Sequence, residues 1–212
     1  MTTILINTSD IFLRQAITHL VTDIIADKGR DNPLVMTDMS NIADAEVIIT
    51  EMTMGEHLLC QKALENRKAA SAVFIIQPRT ATTPGHQLPT CIHDATFIHR
   101  QVSVTEFSAI LRRKLSAMAG FRRSVSRPDN PRFKCIKCPR KSLTPTQLKV
   151  AQALGIGMNS LTIADHLQVH YKTIFSHKSN IMKSFEIANK QELNRFISVI
   201  MRNDGQIPRL RK

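Results

Sequence analysis

Five short apolar runs in the first 120 residues most constrain how this chain can fold. They occupy residues 3–7, 33–37, 46–50, 72–76 and 95–99, and each has the length and the Ile/Val content of a buried strand. Segments with helical spacing extend from Ile17 to Ile25 and from Phe107 to Leu115. Strands that alternate with helices predict an α/β domain with a doubly wound, five-stranded parallel sheet covered on both faces.

The pattern changes after Ser142. Residues 144–147 read Thr-Pro-Thr-Gln, the form of a capping box with proline at the first helical position. Four short apolar stripes with helical spacing follow, which predicts a four-helix, all-α helix-turn-helix module. We therefore expect an α/β domain at 1–118, a basic linker at 119–142, a helix-turn-helix domain at 143–205 and a basic tail at 206–212.

The positive charge lies almost entirely at one end of the chain. Residues 1–120 carry a net charge of −1, and residues 121–212 carry +13. A basic end on a near-neutral body indicates a polyanionic partner, most often nucleic acid. The alternative from charge alone is a basic surface that only keeps the protein soluble.

Residues 172–185 form the segment best suited to meet DNA. On a helix, Ile174, Ile181 and Phe185 share one side and can pack inward. Lys172, Phe175, Ser176, Ser179 and Lys183 share the other side. Cations suit phosphates or guanine edges, hydroxyls suit either, and a ring suits a thymine methyl. An ordinary amphipathic surface helix would show the same pattern.

Residues 143–187 resemble the LuxR-type (NarL/FixJ) DNA-binding domain without a gap. The matching motifs are Leu143-Thr144-Pro145, Ile163-Ala164 with Leu167, Lys172-Thr173-Ile174 with His177, and Asn180-Ile181. The resemblance implies binding to double-stranded promoter DNA. The candidate DNA-contacting residues are Lys172, Thr173, Phe175, Ser176, His177, Lys178, Ser179 and Lys183.

Three positions depart from the family pattern. Gln147 replaces a usual Glu, His170 stands at an N-cap where Ser or Thr is common, and Phe175 replaces a frequent Lys. Gln147 can still return a capping hydrogen bond but lacks the charge that favours a helix N-terminus, and His170 predicts a weaker cap. The third removes a cation from the outer face, so the chain is expected to bind DNA poorly alone or to read a different base step.

The N-terminal domain resembles a response-regulator receiver that lacks the residues for phosphoryl transfer. The resemblance places Thr8 and Ser9 at the acidic pair that holds Mg²⁺, with Asp10 one residue late. It places Glu51 at the phosphoacceptor, Gln77 at the Ser/Thr and Arg100 at the Lys. We predict a pseudo-receiver in which Glu51 either imitates a phosphorylated Asp or is an ordinary carboxylate at a strand end.

The whole organisation resembles the auxiliary regulators of the Rcs phosphorelay, of the RcsA and BglJ type, on the basis of residues 172–181 and of Asn189-Lys190-Gln191. That resemblance implies a heterodimer with an RcsB-like response regulator, and a homodimer is the other possibility. In the LuxR-type family the fourth helix pairs two DNA-binding domains. Candidates for that dimer seam are Leu193, Phe196, Ile197 and Ile200, some of which can instead close the core.

Two other classes of function are compatible with parts of the sequence. An interaction subunit would titrate a partner regulator and hardly touch DNA. A zinc or redox sensor would use Cys135 and Cys138, with Cys91 and His93 as distant further ligands, although two reduced cysteines in a basic linker are the simpler interpretation.

No cofactor, metal site or enzymatic activity is expected, because we find no nucleophile–base pair, phosphate loop or carboxylate constellation. The N-terminus lacks the features of a signal peptide, and no apolar run is long enough to span a bilayer. We therefore expect a cytoplasmic protein with no membrane partner.

Overall fold

The computed structural model describes residues 2–27, 32–68, 70–80, 82–124 and 138–203. The chain forms two compact units. The first comprises Met1–Met52, Gln61–Thr80 and Thr90–Cys138, and the second comprises Thr53–Cys60, Ala81–Pro89 and Pro139–Lys212. The second unit thus takes in two short segments from earlier in the chain, which the periodicity of residues 143–205 does not reveal.

The first unit is built on a five-stranded, all-parallel sheet. Its strands are β1 (Thr3–Asn7), β2 (Leu34–Met36), β3 (Val47–Glu51), β4 (Ala72–Gln77) and β5 (Thr96–His99), in the order β2-β1-β3-β4-β5. This is the doubly wound order in which the chain reverses direction across the sheet between β1 and β3. The fold predicted for this half of the chain is confirmed.

Two helices cover one face of the sheet. α1 (Ile11–Ala26) and α2 (Val104–Ser124) bring Ile17, Val21 and Leu111 against the inward residues of the strands. α2 continues to Ser124, into the segment predicted as linker, since no proline interrupts the chain before Pro128.

The opposite face of the sheet differs from expectation. Its strand residues, among them Leu5, Ile48 and Ile75, are fully buried. In the described parts of the connections after β2, β3 and β4, however, only short 3₁₀ turns occur where helices were expected.

The described residues of the second unit form four α-helices, as the sequence predicts. They are α3 (Pro145–Gly155), α4 (Ser160–Leu167), α5 (Tyr171–Ser184) and α6 (Lys190–Asn203). The predicted capping box is present: the amide of Gln147 donates to Thr144 Oγ1 at 3.3 Å, and the Gln147 side chain accepts from the amide of Thr144 at 2.9 Å. Gln147 therefore fills the capping role of the usual Glu.

The early segments of the second unit are joined to it by hydrogen bonds. The Lys141 amide donates to the Leu58 carbonyl oxygen at 2.8 Å, and the Thr82 amide donates to Glu186 at 3.1 Å. Across the described ranges, none of the helices has the length and apolar character needed to cross a membrane.

Candidate nucleic-acid interface

A helix–turn–helix is formed by α4 and α5. Asn159 caps α4 by accepting from the amides of Leu161 and Thr162 at 3.0 and 2.9 Å. Gln168 ends α4 in the left-handed region, at φ 53°, where a non-glycine residue reverses the chain. Two residues later, His170 Nδ1 accepts from the amide of Lys172 at 3.2 Å and caps α5. The departure at His170 thus still provides a cap.

The inner side of α5 is anchored in the core. Ile174 and Ile181 have no exposed surface and Phe185 is 1% exposed, as the helical pattern predicts. Ile174 packs with Val150 and Ile163, and Phe185 lies 4.7 Å from Phe196 between ring centroids. This packing fixes the rotation of α5 about its own axis and therefore fixes which residues face outward.

The outer side of α5 is basic and polar. The five residues expected there, Lys172, Phe175, Ser176, Ser179 and Lys183, are all exposed, whereas Thr173, His177 and Lys178 are half-buried. The helix carries three lysines and no acidic residue. All eight candidate residues therefore lie on one helix, five of them exposed and three half-buried.

Aromatic rings gather at the N-terminal end of this surface. The Tyr171 ring lies 4.5 Å from the His170 ring and 6.2 Å from the Phe175 ring, between centroids. Lys178 Nζ lies 5.5 Å from the Phe175 ring centroid. Sequence analysis singled out Phe175 and missed Tyr171, although an aromatic pair spaced i, i+4 on a helix is a signal that both rings share a face.

The predicted dimer seam is not on the surface. Leu193, Phe196, Ile197 and Ile200 are 0–3% exposed, so in this structure all four close the core of the second unit. These side chains pack within a single chain here, and their role in pairing two copies stays a prediction. The apolar stripe was read correctly as buried, but sequence alone cannot tell burial by another copy from burial by segments of the same chain.

The carboxyl ends of the strands bring together the positions that the resemblance to a receiver singles out. Arg100 forms ion pairs with Glu51 and, at 2.6 Å, with Asp10. Thr8 Oγ1 donates to the second oxygen of Glu51 at 2.6 Å. The Arg100 amide donates to the Gln77 carbonyl oxygen at 2.8 Å. Five of the six predicted positions thus form one hydrogen-bonded network, four of them through side chains and Gln77 through its backbone, and Ser9 is exposed beside it.

Asp10 has a second role in the same network as the N-cap of α1. It accepts from the amides of Phe12 and Leu13 at 3.0 and 3.1 Å. The Leu13 amide contributes most to lowering the pKa of Asp10 below its ordinary value, and Arg100 adds to that effect against an opposing contribution from burial. Asp10 is therefore held in the charged form that both the helix and Arg100 require.

The cysteine pair is only half described. Cys135 lies outside the described residues, and Cys138 accepts from the amide of Thr90 at 3.4 Å. Within the described ranges, no group of three or more His, Cys, Asp or Glu side chains is placed to hold a metal ion.

Comparisons with known proteins agree with this architecture. The family model of bacterial regulatory proteins, luxR family (GerE), matches residues 141–197. A search of curated proteins gave no significant match. The structure is similar to RcsB from Salmonella enterica serovar Typhimurium bound to promoter P1flhDC in the presence of phosphomimetic BeF₃⁻, with a TM-score of 0.51, 15% identity, and coverage of 94% of this chain and 98% of that one.

Two other solved structures extend the comparison. A complex of the response regulator RcsB with DNA gives a TM-score of 0.51 at 16% identity, and covers 94% of this chain and 98% of that one. Full-length FixJ from B. japonicum gives a TM-score of 0.36 at 15% identity, and covers 96% of this chain and 98% of that one. At these identities the RcsB structures show a shared fold.

The fold and the matched segment together define a class of protein. Residues 141–197 are a LuxR-type helix-turn-helix domain, and a receiver-like five-stranded sheet precedes it. The chain therefore has the architecture of a DNA-binding transcription regulator of the LuxR type.

Proposed function

We propose that this protein is an auxiliary transcription regulator that binds promoter DNA through α5, acts without phosphorylation, and pairs with an RcsB-like response regulator. The observation that carries the proposal is the network in which Arg100 bridges Asp10 and Glu51. The chain thus combines two features. It has a helix-turn-helix domain, and the position at which a receiver would be phosphorylated is already occupied by ion pairs between the protein's own side chains.

The chemistry of the network supports independence from phosphorylation. A phosphoacceptor carboxylate must present a free oxygen to the incoming phosphoryl group, and Mg²⁺ needs several oxygen ligands beside it. One oxygen of Glu51 accepts from Thr8 and the other is paired with Arg100. Arg100 also supplies locally the positive charge that Mg²⁺ would otherwise bring.

Beryllofluoride with Mg²⁺ is expected to leave the melting temperature of this protein unchanged. A ligand that binds only the folded state stabilises it by RT ln(1 + [L]/Kd), so a site that takes the phosphoryl analogue would reveal itself. RcsB, whose structure was obtained with BeF₃⁻, is the matched positive control. A rise in melting temperature that Glu51→Gln abolishes would contradict the proposal.

The DNA-binding surface is supported by the exposure and charge of α5. Lys172 and Lys183 are exposed on the same side as Ser176 and Ser179, and no carboxylate on the helix repels phosphate. Lysines meet phosphates as point charges and hydroxyls position the helix, whereas base-edge contacts set the sequence preference. We assign Lys172, Thr173, Phe175, Ser176, His177, Lys178, Ser179 and Lys183 to this surface.

Lys172→Ala is expected to weaken promoter binding and to flatten its dependence on salt. Losing one phosphate contact lowers the slope of log K against log salt by about 0.9. Fluorescence anisotropy over a series of salt concentrations measures this slope, with Lys149→Ala, on the exposed side of α3, as a charge-matched control. An unchanged slope for Lys172→Ala in the complex with the partner would favour the second function, a subunit that titrates the partner without touching DNA.

A further inference from the structure

The first half of α5 carries a row of neighbouring side chains, of which Phe175 and Lys178 belong to the proposed DNA-binding surface. His170, Tyr171, Phe175 and Lys178 follow one another along the helix surface, with ring centroids 4.5 and 6.2 Å apart and Lys178 Nζ 5.5 Å from the last ring. The Tyr171 and Phe175 rings are nearly perpendicular, at 87°. Edge-to-face packing and a cation over a ring face are both favourable arrangements.

These contacts hold Phe175 in place without covering it. The side chain is 53% exposed and Tyr171 is 40% exposed. A ring with neighbours on two sides loses little further conformational freedom when it binds, since its position is already set. An exposed apolar patch with a polar rim marks an interaction site, so the row presents a preorganised apolar contact to a partner.

The surroundings of the row indicate what kind of partner this is. Lys172, Ser176 and Ser179 flank the ring and are exposed, and the helix has no acidic residue. A cationic, hydroxyl-rich rim suits a polyanion. On the floor of the DNA major groove, the apolar feature available to a ring is the C5-methyl group of thymine.

We propose that Phe175, held by Tyr171 and Lys178, recognises a thymine C5-methyl group in the major groove, and that this contact sets part of the sequence preference. The proposal rests on the proposed function, because it requires that α5 enters DNA. It predicts that the protein prefers thymine at one base pair because of an apolar contact. A lysine in place of Phe175 would instead favour the edge of a guanine.

The test removes only the methyl group. A random duplex library is selected with the full-length protein, alone and with added RcsB, and the most enriched duplex is resynthesised with deoxyuridine replacing each thymine in turn. Deoxyuridine keeps every hydrogen-bonding group and lacks the methyl. Burial of about one methyl group predicts that binding falls about fourfold at one position and stays unchanged at thymines outside the contact.

Variants assign the effect to the ring. Phe175→Ala is expected to bind the thymine and deoxyuridine duplexes equally, and Phe175→Leu to retain part of the difference. Lys183→Ala is expected to weaken both duplexes by the same factor, which separates a lost phosphate contact from lost base recognition.

The outcomes distinguish the two proposals. Specific binding with no deoxyuridine effect at any position overturns the methyl contact and leaves the DNA-binding function standing. A deoxyuridine effect that persists in Phe175→Ala also overturns it, because another residue then makes the contact. Failure to enrich any sequence, with or without RcsB, overturns the proposed function and this inference together.

Discussion

Replacing Gly55 with alanine is expected to lower the free energy of unfolding of the second unit by about 3 kcal/mol. Gly55 lies in the left-handed region at φ +84°, where a Cβ would stand 2.9 Å from the Phe185 carbonyl oxygen and 2.9 Å from Phe196 Cδ2. The backbone oxygen cannot move aside as a flexible side chain would. Backbone strain and overpacking against the end of α5 therefore both lower the free energy of unfolding.

Gly157→Ala is the matched control for this prediction. Gly157 has a similar φ of +89°, and a Cβ there would meet nothing within 4 Å. Only the conformational cost remains, about 1 kcal/mol. The difference between the two variants isolates the steric cost at Phe185 and Phe196.

The measurement uses the single tyrosine of the chain. The protein has one tyrosine and no tryptophan, so tyrosine fluorescence during urea unfolding reports on Tyr171 and hence on the second unit. This matters because a chain with two units need not unfold in one step. Equal losses for Gly55→Ala and Gly157→Ala would contradict the packing described around Gly55.

Asp94→Ala is expected to destabilise the first unit by about 2–3 kcal/mol. Asp94 forms an ion pair with Arg67, whose side chain is fully buried. The guanidinium also donates to the carbonyl oxygens of Cys91 and Ser71 at 2.9 and 3.1 Å. Burial lowers the pKa of Arg67, and Asp94 opposes that shift. Removing the carboxylate leaves a buried cation without its counterion.

The size of this effect is set by the exposure of the two partners. Asp94 is 34% exposed, so water screens part of the interaction and the cost is placed below that of a fully buried pair. Hydrogen exchange of the β4 amides, Ala72–Gln77, measures the stability of the strand that follows the Arg67–Ser71 contact.

A double variant shows whether the cost comes from the unpaired charge. Arg67→Met together with Asp94→Ala removes both charges and keeps an apolar side chain of similar length. We expect the double variant to be more stable than Asp94→Ala alone, since no buried cation remains. A double variant that is less stable by the sum of the two single effects would show that the backbone hydrogen bonds of Arg67, and not its charge pairing, carry the stability.

Local patterns predicted much of the fold. Each apolar run became a strand within two residues of its expected bounds, because a strand buried on both faces reads as a continuous apolar stretch. The first strand was predicted at 3–7 and spans Thr3–Asn7. The capping box at Thr144 was recognisable because both of its partners lie within four residues.

The sequence did not predict packing between residues that lie far apart in the chain. Arg67 was not predicted as a core residue, since arginine is seldom fully buried and its partner lies 27 residues away. The seam residues of α6 were correctly recognised as apolar, but their cover includes Gly55, which no periodicity connects to them. The turns that replace helices after β2, β3 and β4 likewise depend on tertiary contacts.

The candidate site was predicted in part for the same reason. The outward face of α5 follows from one helical period, so Lys172, Phe175 and Lys183 were placed correctly on the surface. The network of Arg100 with Asp10 and Glu51 spans 90 residues of sequence. Resemblance to a receiver brought those positions together, whereas their ion pairs required the structure.

DNA binding by the protein alone, by RcsB alone and by an equimolar mixture tests the central claim most directly. The measurement is fluorescence anisotropy on a promoter duplex with an Rcs-type site at one fixed salt concentration, with no phosphoryl donor present. The account predicts that the mixture binds more tightly than either protein alone and that Phe175→Ala alters the affinity of the mixture. Tight, sequence-specific binding by this protein alone, unaffected by RcsB, would contradict the account and identify a self-sufficient homodimeric regulator.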